Sequence, residues 1–469
     1  MTRAPRRDAL LLVAVALLAR AITFGNPIVH VDEQFYFVTA RAMAHGAWPY
    51  ADVWDRKPVG LFLLYWPAAL LPLSLGIWAY QAIALACAVA TAWMIAALAR
   101  VAGWRAGATL AGVAYLLWIN LAEGQGGQSP IFYNVLVAGA AMLIVGRHGA
   151  EPVRGLAAMA LVGVAMQVKY SVVFEGMVFG LWIVAQHWRA HRRAGLTLAL
   201  AVALVAAALV PTIAAGAVFA AAGRSGAFWY ANFQSILERR ADPWGEQLGN
   251  LAGVVLILSP LVAMAGITLA QRQWSAERMF LFAWLAAALL GLVVFGSWFD
   301  HYALPVMVPA ATCAAGALGE HRRVNRWALP ILAVVAVGGQ VLLLSKRLGR
   351  GTPSQFAAVV AAVGRGPGCL WVQSGEPMLY AATGRCRATR YVFPSHLGRE
   401  RERGAIGVDQ AAEVRRILAG RPAVIVMRPA YRGERGDIRA LVLAGLQHHY
   451  RRAAAVRLGR GIVSVYARR

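Results

Sequence analysis

The chain reads as a mainly α-helical, polytopic membrane domain followed by a small basic α/β domain. Three observations predict this. Of its 469 residues, 59% are apolar and 14% charged, against about 45–50% and 25% in soluble domains. Apolar runs of roughly 20 residues, the length that crosses a bilayer core, recur through residues 1–345. Charge is also segregated: residues 346–469 hold 23 Lys and Arg against 7 Asp and Glu, a net of +16 out of +25 for the chain. This composition excludes a disordered chain, a collagen-like fibre and a disulfide scaffold. The domains are therefore taken as 1–345 and 346–469.

Loop charge orders the spans, because Lys and Arg collect in short cytoplasmic loops. Arg3, Arg6 and Arg7 keep the start inside. The clusters Arg100 with Arg105, Arg147 to Arg154, Arg189 to Arg193, Arg272 to Arg278 and Arg322 to Arg326 mark further cytoplasmic loops. The first span is not a cleaved signal peptide, since no convincing small-residue cleavage site follows it. Val59 to Leu75 is apolar but contains Pro67 and Pro72, and counting it would place Arg100 and Arg105 outside. It is read as helix at the outer face, within a first external loop and surface region at 25–76. About eleven spans follow: 9–24, 77–99, 106–121, 131–146, 155–168, 172–187, 196–222, 248–270, 279–296, 303–319 and 327–345. The N-terminus is then cytoplasmic and the tail extracytoplasmic. External loops are rich in aromatics, among them Trp48, Tyr50, Trp54, Phe228, Trp229, Tyr230, Trp298, Phe299 and Tyr302, most of which fit an interfacial belt.

The first external loop opens with His30-Val-Asp32-Glu33-Gln34. Two adjacent carboxylates after a span, in a chain of 21 acids, suit a general base at the mouth of a membrane cavity. The bland alternative is an acidic pair that caps a helix. Further on come Gly46-Ala-Trp48-Pro49-Tyr50-Ala-Asp52 and Asp55-Arg56-Lys57-Pro58.

An acidic pair after the first span, a Gly-x-x-Pro-Tyr-x-Asp stretch and a Lys-Pro pair resemble membrane glycosyltransferases of the GT-C superfamily. The similarity is to the protein O-mannosyltransferase and lipid A aminoarabinose transferase family. It extends over residues 1–345, through Gly163 to Lys169 and Asp300-His301-Tyr302-Ala-Leu-Pro305, and Arg390 to Pro394 resembles the tails of some bacterial members. The resemblance implies transfer of a sugar from a polyprenyl-phosphate donor to an extracytoplasmic lipid, glycan or protein, at a bacterial inner membrane. It implies Asp32 as catalytic base with Glu33 as its acidic neighbour, and Lys57 and Lys169 on the donor phosphate. Arg56, His301 and Tyr302 are added to that phosphate set. Glu123 or Gln128 stands where relatives place an aspartate in the second external loop, a stretch that otherwise reads as a Gly-rich turn. The chain has 43 Arg and only three Lys, and two of those three occupy the motif positions.

No cofactor is certain; a divalent metal is left open, although no His/Cys/Asp cluster has metal-ligand spacing. The partners expected are donor, acceptor and membrane, with no nucleic acid, since a basic tail outside the membrane meets lipid phosphates and acidic glycans. In the tail, 369–374, 388–393, 423–427 and 462–467 read as strands, and 355–363, 409–418 and 438–448 as helices. Cys369 and Cys386 could pair in an oxidising compartment. The rival function is a transporter or flippase of a lipid-linked saccharide, for which the repeated halves usual in transporters are missing from the sequence.

Overall fold

The computed structural model describes residues 3–146 and 151–469, so the basic cluster beginning at Arg147 lies partly outside the described residues. The membrane-type helices open with α1 (Arg3–Arg20), α2 (Val31–Ala44), α3 (Val59–Ala69), α4 (Leu73–Val101), α5 (Ala108–Trp118), α6 (Ser129–Ile144) and α7 (Pro152–Met166). They continue with α8 (Val173–His191), α9 (Ala194–Ala221), α10 (Ser225–Trp229), α11 (Ser235–Leu237), α12 (Trp244–Ala270) and α13 (Ala276–Phe295). Then come α14 (Leu304–Glu320) and α15 (Arg322–Arg350). The tail follows as α16 (Pro353–Val363), β1 (Leu370–Val372), α17 (Met378–Thr383), α18 (Pro394–Gly398), α19 (Gln410–Ala419), β2 (Val424–Met427), α20 (Gly436–His449), β3 (Tyr450–Leu458) and β4 (Gly461–Arg468).

Every one of the eleven expected spans falls on a helix. Among the described residues, six helices are long and apolar enough to cross a membrane, lying in Leu73–Val101, Ala194–Ala221, Trp244–Ala270, Ala276–Phe295, Asp300–Glu320 and Arg322–Val363. The other five expected spans are helices of 11 to 19 residues. The Val59 to Leu75 segment breaks at Pro72, with α3 stopping at Ala69 and α4 starting at Leu73, while Pro67 is accommodated inside α3. With 11 residues α3 is about 16 Å long, half a bilayer core.

The chain divides into two compact units. The first comprises Met1–Ile22, Ala82–Ala215 and Trp244–Leu343. Its centre is α14, buried along almost its whole length and packed on α5, α6, α12 and α13. Small residues permit the contact: a Cβ on Gly107 would stand 1.9 Å from the Ala315 carbonyl oxygen, so backbone meets backbone as in other membrane helix pairs. On α9, Leu198, Val202 and Ile213 are exposed, the pattern of a surface that faces lipid rather than water.

The second unit comprises Thr23–Gln81, Gly216–Pro243 and Leu344–Arg469. Its sheet has the order β1-β2-β4-β3, with β1 parallel to β2 and the other pairs antiparallel. Trp371 pairs with Ile425 and Val426 with Val465. Helices α19 and α20 cover this sheet with Val414, Ile417 and Val442, and Trp54 of the first loop joins the same core. Cys369 and Cys386 are disulfide-bonded.

Two tail expectations are corrected. Residues 388–393 form no strand. Arg387 makes an isolated bridge to Leu370, and the next carbonyls are spent on the loop, Arg390 O accepting from Trp54 N–H at 3.0 Å. Conversely, β3 was hidden in Arg451-Arg-Ala-Ala-Ala, which shows no apolar alternation. It is a charged edge strand, a form that discourages edge pairing.

Candidate functional site

Helix α2 begins with His30 as its N-cap, the imidazole Nδ1 accepting the Asp32 N–H at 3.2 Å. The capping role open to the acidic pair is thus filled by histidine. Asp32 and Glu33 sit in the first turn, where the positive helix end favours carboxylates. They differ sharply in setting. The Asp32 side chain keeps 20% of its surface exposed, whereas Glu33 is fully buried beside the Tyr65 and Tyr80 rings. Gln34, next in line, donates to Glu376 and accepts from Met378 N–H at 3.2 Å, tying α2 to the tail.

The loop from Gly46 to Pro58 is knitted rather than free. Tyr50 adopts φ 69°, and its hydroxyl donates to the Lys57 carbonyl at 2.9 Å. Tyr50, Trp54 and Phe228 are buried, so these aromatics are core residues and not the interfacial belt expected of them. Arg56 donates to Glu402 at 2.7 Å and to the Ala405 carbonyl at 2.8 Å, and lies over the Trp54 ring. Arg239 reaches the other Glu402 oxygen at 3.0 Å. Burial opposes ionisation of Glu402, yet the Arg56 and Arg239 guanidiniums hold its carboxyl at about 2. Burial pushes the Asp55 carboxyl up, against the pull of Lys57 and Arg56. His396, edge-on to Trp54 at 4.6 Å and 3.8 Å from Asp55, is held down to about 3 by burial and stays neutral. Among the described residues the Lys57 ammonium forms no ion pair or hydrogen bond. Its two predecessors are committed; Lys57 is not.

In the first unit, Lys169 follows the short helix α7 and is the N-cap residue of a 3₁₀ turn at Tyr170–Val172. Its ammonium stands 4.2 Å from the centre of the Tyr302 ring. Tyr302 belongs to a second 3₁₀ turn, Asp300–Ala303, which feeds α14 through Pro305. His301 packs edge-on against Tyr302 at 4.9 Å and stacks on Phe299. Tyr133, Lys169, Ser171, Glu175, Tyr302 and Pro305 line one cleft of about 30 Å³, room for a water or two.

The stretch 122–130 is not a solvated turn. Residues 122–130 are buried, and Arg20, itself 1% exposed, donates to the Gly124 carbonyl at 2.6 Å. Glu123 adopts φ 60° and approaches His301 at 3.8 Å, while Gln128 precedes α6 as its fully buried N-cap.

The first unit thus brings together Lys169 with Tyr302, and Glu123 with His301. In the second unit, Asp55, Arg56 and Lys57 meet Glu402 and His396. Sequence reasoning missed Arg20, Glu175, Glu402 and His396. The first two carried a signal, being lone charges inside apolar runs; the tail pair carried none.

No family model and no curated protein matches the chain. Solved structures do. ArnT from Cupriavidus metallidurans bound to undecaprenyl phosphate superposes with a TM-score of 0.67 at 17% identity, covering 97% of each chain. Its apo form gives 0.67 at 18%, with the same coverage. An Archaeoglobus fulgidus oligosaccharyltransferase tethered to an acceptor peptide gives 0.55 at 11%, over 91% of this chain and 69% of that one. The chain has an ArnT-like fold. At these identities the likeness speaks for the architecture alone, over 97% of the chain. Within this fold, the acidic first turn of α2 and the Lys57 loop are this chain's own candidates for chemistry.

Proposed function

We propose that the protein is an inner-membrane glycosyltransferase taking its sugar from a polyprenyl-phosphate donor and delivering it to an extracytoplasmic acceptor. The observation that supports it most is the contrast inside the first loop. Arg56 is tied into the tail and Asp55 accepts from the Arg56 N–H, while the Lys57 ammonium makes no ion pair or hydrogen bond among the described residues, in the same unit as the partly open Asp32. An anionic donor needs a cation that is not already neutralised. A base needs access to water or substrate.

In this reading the acceptor hydroxyl gives its proton to Asp32 as its oxygen attacks the anomeric carbon. The bond from that carbon to the phosphate oxygen breaks, and polyprenyl phosphate leaves with inverted configuration at the sugar. The leaving phosphate requires charge stabilisation more than a proton, the role given to Lys57 and Lys169. Glu33, buried beside Tyr65 and Tyr80, is the acidic neighbour of that base, Asp32. The tail lies outside the membrane and the N-terminus inside.

The test is incubation of the purified protein with a panel of polyprenyl-phosphate sugars and candidate acceptors. The expected result is acceptor-dependent release of unglycosylated carrier phosphate. Donor moved across a vesicle bilayer with its sugar–phosphate bond intact would instead establish the flippase.

A further inference from the structure

The second unit contains a basic groove that the transfer reaction does not use. Val38, Arg41 and Ala42 of α2, with His45 and Ala47 after it, form one wall; Tyr380, Arg385 and Arg387 belong to the other. The groove encloses about 290 Å³, close to where small-molecule sites begin. Its lining includes three arginines and a histidine and no acid.

The arginines are oriented without being neutralised. Arg41 donates to the Leu71 carbonyl at 3.2 Å. Arg385 donates to the Gly364 and Pro367 carbonyls at 2.9 and 2.8 Å. Carbonyls fix guanidinium planes but leave the positive charge in place. His45 Nδ1 lies 2.7 Å from the Arg41 carbonyl oxygen, which fixes its ring, and Tyr380 is held by the Val372 N–H at 3.0 Å. The Arg387 side chain makes no hydrogen bond or ion pair among the described residues. Elsewhere in the tail, arginines meet carboxylates, as Arg428 meets Glu376 and Arg439 meets Glu434. A prearranged set of uncompensated forks is what a phosphate requires.

We propose that this groove binds a phosphate group borne by a saccharide or a lipid headgroup. Arg41 is nine residues along α2 from Asp32, about 14 Å at 1.5 Å per residue, too far for the phosphate at the reacting carbon. The groove is therefore a binding site separate from the one proposed for transfer.

Binding is measured on the full chain in detergent by calorimetry with glucose 1-phosphate, and on nanodiscs containing phosphatidylglycerol or phosphatidylcholine alone. Saturable binding is expected in one of the anionic arms, and the arm that responds identifies sugar phosphate or lipid headgroup as the source. Arg387→Glu and His45→Glu should weaken it about tenfold to a hundredfold, and Arg387→Lys should retain most of it. The double variant Arg451→Glu/Arg452→Glu removes equal or greater charge from exposed positions of β3 and should leave it unchanged. Equal loss in that control, or no saturable binding in either anionic arm, overturns the proposal. The measurement needs no donor and no turnover, so a failure of the transferase reading registers separately.

Discussion

Two regions each carry one of the chain's three lysines at a motif position, and they are built on opposite principles. The Lys57 loop is held by charge: Arg56 and Arg239 converge on a buried Glu402, with neutral His396 beside them. The Lys169 turn is held by shape: two 3₁₀ turns, a proline-started helix and stacked aromatic rings. An ion-pair scaffold gives direction and fails when a partner is lost. An aromatic scaffold tolerates substitution and tunes the cation it holds. The two regions should therefore respond differently to the same kind of perturbation.

The largest effect is expected at Asp32, the proposed base. Asp32→Asn keeps the size and the helix start but cannot accept a proton, so turnover should fall by about two to four orders of magnitude. Donor affinity should hold. Wild-type turnover in this variant would remove Asp32 from the chemistry and leave the first region with a purely architectural role.

Next comes the charged scaffold. Glu402→Leu leaves Arg56 and Arg239 buried without their carboxylate, a loss of about 3–5 kcal/mol in comparable buried pairs. Proteolysis within 46–58 should accelerate, while cleavage near Lys169 stays as in the wild type. Acid should do the same more gradually. His396 is held at about 3, below the ordinary histidine value, so its contribution is whole above about pH 6.5 and declines as pH falls toward 3. Glu402, held at about 2, contributes fully above about pH 4.5 and loses its share below that. Tryptophan fluorescence followed from pH 7 to 3, with Trp54 lying against His396, should show a transition that His396→Phe suppresses. An identical transition in that variant would shift the cause to another group.

What was legible in the sequence follows the same division. Apolar runs disclosed all eleven helices expected as spans, and the Lys-Pro and Asp-Glu motifs disclosed both candidate chemical groups, because these signals are local. The partners of Arg56 were invisible: Glu402 is 346 residues away and sits in a string, Arg399 to Arg403, that reads as solvated charge. Its burial is a tertiary fact. The buried 122–130 loop was unreadable for the same reason, since Gly-Gln-Gly-Gly looks like an exposed turn until Arg20 is seen bonded to it. Strand β3 escaped because an edge strand rich in arginine lacks the alternation that marks half-buried strands.

The lysines themselves come next in size. Lys57→Met and Lys169→Met should each weaken donor binding by roughly 1.5–3 kcal/mol if each donates to the phosphate, read by titration with a non-transferable donor analogue. The comparison is sharper with arginine. Lys57→Arg places a longer fork on a loop already crowded by Arg56, and should recover part of the binding. Lys169→Arg must fit a cleft of about 30 Å³ beneath Tyr302 and should recover little. Equal recovery at both positions would mean that the aromatic turn is no more confining than the charged loop.

The smallest effect should come from the ring over Lys169. Tyr302 offers its face to the ammonium at 4.2 Å, an interaction worth about 0.5–2 kcal/mol depending on desolvation. Tyr302→Phe keeps the face and loses only the hydroxyl, so donor affinity should change little. Tyr302→Leu fills similar space without a π system and should weaken donor binding by no more than about thirtyfold, the upper end of that range. Thermal stability should barely move in either variant, since α14 is packed along its length and does not depend on this ring. A Phe variant as impaired as the Leu variant would show that the hydroxyl, not the ring, matters. Tyr302 would then be a hydrogen-bonding group toward the phosphate, and the aromatic turn would work by the same polar logic as the loop it is compared with.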